Sequence, residues 1–183
     1  MVEFVTSQEL RGYADLRSES ERARIRKAAN SRSPTGATFL SHSSKDEDLV
    51  FGAILVLEDH GAHVYVDEVD PEMPPYTNTE TAAILKSRIR QSKKFVLLTS
   101  KNSKESRWVP WELGLADGYK DLGNIALFPS SDAPYNMSWA DWEYLGLYHR
   151  IVWGMHQNYP KAIWMVLNQR TNTATELSEW LRR

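Results

Sequence analysis

A regular alternation of apolar and amphipathic segments constrains the fold of this chain more than any other feature of its sequence. Four short apolar segments, at residues 37–41, 63–67, 94–99 and 124–128, have the composition of buried β-strands. A segment with apolar residues at helical spacing follows each of the first three. Ser44 and Glu47 have the spacing of a capping box at the start of the first of these helices, and Asp46 also suits its first turn. Strands and helices that alternate in this way form a parallel sheet with helices on both faces, so we predict an α/β fold.

The two ends of the chain lack this alternation. Residues 1–36 are rich in charged side chains and contain few apolar ones, so we predict a charged helical extension there. We expect one domain over residues 37–183, with its regular part at 37–128 and a less regular part at 129–183.

The less regular C-terminal part still contains recognisable segments. Residues 148–153 and 162–167 are apolar enough to form two strands, which we predict to be a hairpin. Thr173 and Glu176 have the spacing of a capping box, which predicts that a last helix begins there. The predicted fold therefore has a strand and helix addition at its C-terminus.

The composition argues against several classes of protein. The 183 residues carry a net charge of −2, whereas proteins that bind a phosphate backbone usually have a basic excess. There is no cysteine and the five histidines have no metal-ligand spacing, so we predict no metal site. The longest apolar run, at residues 50–57, is too short for a membrane span, and the N-terminus lacks the apolar core of a secretory signal. We therefore expect a cytoplasmic protein that binds neither nucleic acid nor membrane.

The third predicted strand is followed by the segment SRWVPWEL, residues 106–113. Pro110 suits the opening turn of a helix, because the amide hydrogen that proline lacks would have no partner there. Glu112 is expected in the same turn, where a carboxylate compensates the helix dipole. A second interpretation is that Trp108 and Trp111 form flat apolar walls around Glu112, in a site that holds a ring and stabilises a cation.

Ligands of open α/β sheets bind beyond the carboxyl ends of the strands, where the strand order reverses. In a flavodoxin-like order, the reversal lies between the first and third strands. The first strand brings Ser41, His42 and Ser43 to that edge, and the third leads to Trp108 and Glu112. Hydroxyls, an imidazole, an indole and a carboxylate are therefore expected in one crevice, which suits a small polar ligand with a ring, such as a nucleotide.

Two of these segments carry a resemblance to a known family. The segment FLSHSSKD at residues 39–46 resembles the first conserved box of Toll/interleukin-1 receptor (TIR) domains, and residues 106–113 are similar to the box around that family's catalytic glutamate. The chain most resembles the stand-alone bacterial members. It departs from the family pattern at Val109, where a cysteine is common, and at Ser43 and Ser44, where some animal members carry basic residues.

The resemblance implies cleavage of the nicotinamide–ribose bond of NAD, with NAD as a substrate and no other cofactor. Glu112 would be the catalytic residue, and Trp108 would be an aromatic wall or, as an alternative, a core anchor. The other residues that the resemblance assigns to substrate binding are Ser41, His42, Ser43, Asp67 and Tyr76. Attack by water would give ADP-ribose, whereas attack by a group of the substrate itself would give a cyclic isomer.

Two other functions remain compatible with the same sequence. Many TIR domains are non-catalytic interaction modules, and a nucleoside or deoxyribose transferase would share the chemistry without the two boxes. The resemblance further implies self-association through TIR domains, a downstream effector that senses a nucleotide, and a role in bacterial anti-phage defence.

Overall fold

The computed structural model of the protein describes residues 2–67, 79–135 and 143–183. In this part of the chain the strands are β1 (Val2–Glu3), β2 (Val5–Thr6), β3 (Thr38–Ser41), β4 (Val64–Val66), β5 (Lys94–Thr99), β6 (Ile125–Ser131), β7 (His149–Gly154), β8 (Ile163–Asn168) and β9 (Thr173–Glu176). The α-helices are α1 (Ser7–Asp15), α2 (Glu19–Ser31), α3 (Glu47–Asp59), α4 (Thr79–Gln91), α5 (Trp108–Tyr119) and α6 (Leu177–Arg182). Short 3₁₀ segments lie at Ser44–Asp46, Lys101–Glu105, Leu122–Asn124 and Glu143–Leu147.

The central sheet confirms the predicted α/β fold. Its strands lie in the order β4-β3-β5-β6-β7-β8-β9, and neighbours from β4 to β7 are parallel. The order therefore reverses at β3 and β5, which are the first and third of the predicted strands. At the other end of the sheet, β7 and β8 are antiparallel, as expected for the predicted hairpin.

Helices cover both faces of this sheet, because alternate residues of each central strand point to opposite sides. On β5, Phe95 and Leu97 pack in one hydrophobic core with side chains of α4 and α5. Val96 and Leu98 pack in a second core with side chains of α3. The predicted arrangement of a two-sided sheet is thus confirmed, and α5, which carries the glutamate, belongs to the first face.

The N-terminal segment contains the two charged helices α1 and α2, and each begins with a capping box, Thr6 with Glu9 and Ser18 with Glu21. It also contains β1 and β2, which we did not predict. β2 pairs with the end of β6, and β1 pairs with the end of β7. At these ends, β6 and β7 no longer pair with each other. Leu10 of α1 is fully buried, so this segment contributes to the core. The boundary at residue 36 between the N-terminal extension and the domain remains a prediction.

Two predicted capping boxes were wrong. Thr173 and Glu176 do not begin the last helix, because Thr173–Glu176 forms β9, whose backbone pairs with β8, and α6 follows it. The spacing of Ser44 and Glu47 also suggested a cap, but Ser44 opens a 3₁₀ turn, and the hydroxyl of Ser43 accepts the hydrogen bond from Lys45 N. In both places the backbone forms other structure, a strand or a 3₁₀ turn, at the position where the spacing predicted a cap.

Candidate active site

Glu112 lies on α5 and is only 4% exposed. Its Oε2 accepts a 2.5 Å hydrogen bond from Oγ of Ser41, the last residue of β3. Ser41 is itself 1% exposed, so the contact is buried between the sheet and the helix. The structure therefore brings together two predicted site residues, at the carboxyl end of a strand where the strand order reverses.

The position of Glu112 within its helix differs from the prediction. α5 begins at Trp108, and Ser106 Oγ accepts a 3.2 Å hydrogen bond from the Val109 amide at its start. Pro110 is in the first turn as predicted, whereas Glu112 is in the second. Because the helix begins two residues before Pro110, Glu112 is too far along it to compensate the free amides of the first turn.

Burial raises the pKa of the Glu112 carboxyl from its ordinary value of 4.5 to about 8. Moving a carboxylate out of water disfavours its charged form, and this is the largest effect at Glu112. The hydrogen bond from Ser41 lowers the pKa, while the negative charge of Asp67 raises it. In the protein alone, Glu112 is therefore mostly protonated at neutral pH.

Asp67 follows β4, the strand next to β3, and its side chain is 13% exposed. Arg88 of α4 forms an ion pair with Asp67 Oδ1, and the hydroxyl of Tyr65 donates a 3.3 Å hydrogen bond to the same oxygen. Burial raises the pKa of Asp67, and the charge of Arg88 opposes this rise. We did not predict a role for Arg88, because no local sequence feature distinguishes a basic residue that forms an ion pair at a site from the other basic residues of a surface helix.

The two tryptophans lie at the start of α5. Their rings meet edge to face, with centroids 5.4 Å apart and planes at 74°. Both are half-buried and pack against the core on this face of the sheet. This packing agrees with the core-anchor interpretation of Trp108, and its role as a wall for a ligand stays a prediction.

The remaining predicted site residues are His42, Ser43 and Tyr76. His42 is half-buried and follows Ser41 directly. Ser43 is buried, and its hydroxyl accepts a 3.4 Å hydrogen bond from the Lys45 amide, so the contact it makes is within its own loop. Tyr76 lies outside the described residues.

Asp46 is a second buried carboxylate, for which the sequence predicts only a place in a first helical turn. It is fully buried and accepts 2.6 Å hydrogen bonds from Ser100 Oγ and Asn102 Nδ2. These bonds join the loop after β3 to the loop after β5. Asp46 therefore links the carboxyl ends of β3 and β5, between which the strand order reverses.

We expect Asp46→Ala to lower the free energy of unfolding by about 2 kcal/mol or more, because a buried hydroxyl and a half-buried amide lose their acceptor. The measurement is chemical unfolding followed by circular dichroism. Asp48→Ala is the matched control, since Asp48 is half-exposed and forms a surface ion pair with Arg11. The control should change stability by less than about 1 kcal/mol. Equal losses in the two variants would show that Asp46 does not hold the loops.

Within the described residues, no group of three or more acidic or histidine side chains could hold a metal ion. Across residues 2–67, 79–135 and 143–183, no helix has the length and apolar character needed to cross a bilayer.

The fold and the site define a class of protein: a parallel α/β sheet with a buried carboxyl group held by a serine at the reversal point of the strand order. Residues 38–148 match the family described as TIR domain. The match covers more than half of the chain, and the chain belongs to the TIR domain family.

Two curated relatives are similar to this chain. One, from Bacillus cereus (strain MSX-D12), is named "Probable 3' cyclic ADP-D-ribose synthase ThsB'" and is 36% identical over 135 residues, which cover 72% of this chain and 69% of that protein. The other, from Cytobacillus dafuensis, is named "Putative cyclic ADP-D-ribose synthase TIR2" and is 34% identical over 88 residues. That match covers 46% of this chain and 22% of the relative.

Proposed function

We propose that this protein cleaves the bond between nicotinamide and ribose in NAD, and releases nicotinamide together with a cyclic isomer of ADP-ribose. The observation that carries the proposal is the buried contact between Glu112 and Ser41 at the reversal point of the sheet. The names of the two relatives support the same reaction class and favour a cyclic product over hydrolysis.

The chemistry of NAD suits a site with one carboxylate. Nicotinamide leaves from a cationic pyridinium, so its departure needs no general acid. As the bond breaks, positive charge develops on the ribose, as in the oxocarbenium-like transition state of glycoside hydrolysis. An ionised Glu112 beside the ribose would stabilise that charge in a site of low dielectric constant. A hydroxyl or a ring nitrogen of the substrate would then attack the anomeric carbon, and one proton would be released to solvent as the cyclic product forms.

This role requires Glu112 to lose its proton and to reach the substrate. The cationic nicotinamide ring provides the first condition, because a nearby positive charge favours the carboxylate and lowers its pKa. Since Glu112 is almost covered in the protein alone, the side chains around it must separate before NAD can contact it. Substrate binding and ionisation of Glu112 are therefore coupled in this proposal.

A cyclic product is a diffusible signal, so the proposal extends to a downstream effector that recognises it. We propose a role in anti-phage defence and self-association through the TIR fold on the basis of the family resemblance, and a cytoplasmic location on the basis of the composition. These parts are separable from the reaction, and each needs its own test in cells.

The pH dependence of NAD cleavage follows from the ionisation of Glu112. We expect kcat/KM to rise with pH up to the pKa of Glu112 in the free protein, about 8, because only the carboxylate stabilises the developing charge. Below that pH, kcat/KM should fall about tenfold per pH unit. The measurement is the initial rate of nicotinamide release from pH 5.5 to 9.

Two variants should move the midpoint of the pH profile of kcat/KM in opposite directions. Asp67→Asn removes a negative charge that raises the pKa of Glu112, so the midpoint should move to lower pH. Ser41→Ala removes the hydrogen bond that lowers that pKa, so the midpoint should move to higher pH. An unchanged midpoint in both variants would mean that another group controls the rate.

The experiment that tests the proposed reaction is incubation of concentrated protein with NAD, followed by chromatography and mass spectrometry. We expect free nicotinamide and an equal amount of a product that is one water lighter than ADP-ribose. A product with the mass of ADP-ribose would show that the protein cleaves NAD by hydrolysis and not by cyclisation. No nicotinamide release, even at concentrations that promote assembly, would favour the non-catalytic interaction module.

A further inference from the structure

The last residue of β5, Thr99, faces the same side of the sheet as the Glu112 site. Along β5, Phe95 and Leu97 pack in the core that contains Val109 and Leu113 of α5. Because side chains of a strand alternate between its two faces, Thr99 points to the same side as Phe95 and Leu97. Val96 and Leu98 pack in the opposite core, as the same alternation requires. Thr99 thus lies on the face that α5 covers.

The register of the sheet fixes how far Thr99 is from the buried contact. Leu97 pairs with Ser41 across the parallel strands β5 and β3. Thr99 is two residues further along β5, roughly 7 Å closer to the carboxyl edge than Leu97. Ser41, which bonds Glu112, and Thr99 therefore occupy neighbouring positions on one face, with Thr99 nearer the edge at which ligands of such sheets bind.

The hydroxyl of Thr99 differs from the other buried hydroxyls at this edge. Thr99 is 2% exposed, and among the described residues its Oγ1 has no hydrogen-bond partner. Its neighbour Ser100, which is equally buried, donates a 2.6 Å hydrogen bond to Asp46. Ser41 likewise donates to Glu112. Since the great majority of buried polar groups are paired, a buried hydroxyl without a partner requires an explanation, and functional sites are one place where such groups occur.

We propose that Thr99 is a substrate-contacting residue of the Glu112 site, whose hydroxyl forms a hydrogen bond with the nicotinamide riboside half of NAD. The inference rests on the proposed function and adds to it a residue that the two sequence boxes do not contain. The hydroxyl both donates and accepts, so it can pair with a ribose hydroxyl or with the carboxamide of the leaving ring. The bond becomes available when the side chains over Glu112 separate to admit NAD.

Two variants, Thr99→Val and Thr99→Ser, distinguish a contact of Thr99 with substrate from a role of Thr99 in packing. Valine keeps the shape of threonine and removes the hydroxyl, whereas serine keeps the hydroxyl and removes the methyl group. We expect Thr99→Val to lower kcat/KM for NAD about tenfold and Thr99→Ser to retain it within about threefold. A packing role predicts the reverse order, with valine active and serine impaired.

Stability gives a second readout, because a buried hydroxyl without a partner destabilises the folded protein. Thr99→Val should therefore unfold at the same temperature as the wild type or at a higher one. Thr38→Val is the matched control: Thr38 is also buried, and it lies at the other end of the sheet, paired with Lys94. Its substitution should leave kcat/KM unchanged, since Lys94 and Thr99 are five residues apart on β5, roughly 16 Å.

The outcomes distinguish this inference from the proposed function. If the wild type cleaves NAD and Thr99→Val keeps kcat/KM within about twofold, Thr99 does not contact the substrate and the proposed function stands. If the wild type neither cleaves NAD nor binds it in titration calorimetry, the proposed function fails, and the inference fails with it. A folded Thr99→Val with lost activity, beside an active Thr99→Ser, supports the assignment.

Discussion

Glu112→Gln should abolish most nicotinamide release while the protein stays folded. The amide has nearly the same shape as the carboxyl and its oxygen can still accept the hydrogen bond from Ser41, but it cannot carry a negative charge. Loss of that charge beside the developing cation should reduce kcat by roughly a thousandfold. The measurement is the rate of nicotinamide release with saturating NAD.

The same variant has a predicted effect on stability, and its sign follows from the raised pKa. The carboxyl holds its proton up to about pH 8 in the folded state, but only up to its ordinary 4.5 in the unfolded state. As pH rises between these values, the wild type loses about 1.4 kcal/mol of stability per pH unit from this group, and the variant does not. Relative to the wild type, Glu112→Gln should therefore become more stable by about 3 kcal/mol between pH 5 and 7.5.

Glu105→Gln is the matched control for this variant. Glu105 lies seven residues before Glu112, its side chain is 62% exposed, and it forms a surface ion pair with Lys45. The same acid-to-amide change should leave nicotinamide release unaltered there and should change stability by less than about 1 kcal/mol. If both variants lose activity equally, or if neither does, Glu112 does not have the role we assign to it.

Gly52→Ala should produce the largest loss of stability that we predict. A Cβ atom at position 52 of α3 would lie 2.2 Å from the carbonyl oxygen of Leu10 in α1, and 2.8 Å from its carbonyl carbon. Both contacts are with backbone, so α1 as a whole would have to move away from α3. We expect the free energy of unfolding to fall by about 3 kcal/mol or more. For a domain of this size, thermal unfolding followed by circular dichroism should show a decrease in Tm of about 10 °C.

Gly12→Ala is the control within the same helix pair. A Cβ atom at Gly12 of α1 would have no heavy atom within 4 Å, and alanine favours a helix more than glycine does. This variant should be stabilised by up to about 1 kcal/mol. If Gly52→Ala unfolded at the same temperature as Gly12→Ala, α1 would not lie against α3 as the structure shows.

The central part of the fold could be predicted because each of its elements is specified locally. Buried parallel strands contain continuous apolar runs, such as residues 95–98 of β5, and α3 has apolar residues at helical spacing. The presence of Ser41 and Glu112 at one edge of the sheet could also be predicted from the order of the elements, because parallel strands deliver their carboxyl ends to one edge. The hydrogen bond between them is seen only in the structure.

The remaining features depend on contacts between distant parts of the chain. β1 and β2 are two residues each, and only the ends of β6 and β7 give their backbones partners. Thr173–Glu176 has the spacing of a cap, yet pairing with β8 makes it a strand. The ion pair of Arg88 with Asp67 and the close approach of α1 to Gly52 likewise arise only when separate elements pack together. Local patterns carry no information about such partners.

Titration of the Glu112 carboxyl by carbon-13 NMR tests the central claim most directly. Protein labelled at the glutamate side-chain carboxyl carbons would be titrated alone and then with an NAD analogue whose nicotinamide–ribose bond cannot be cleaved, with Glu112→Gln identifying the signal. We predict a midpoint of about 8 in the protein alone and a lower midpoint when the cationic ring is bound. A Glu112 signal that titrates identically with and without saturating analogue would contradict the account, because the carboxyl would not face the ring that leaves.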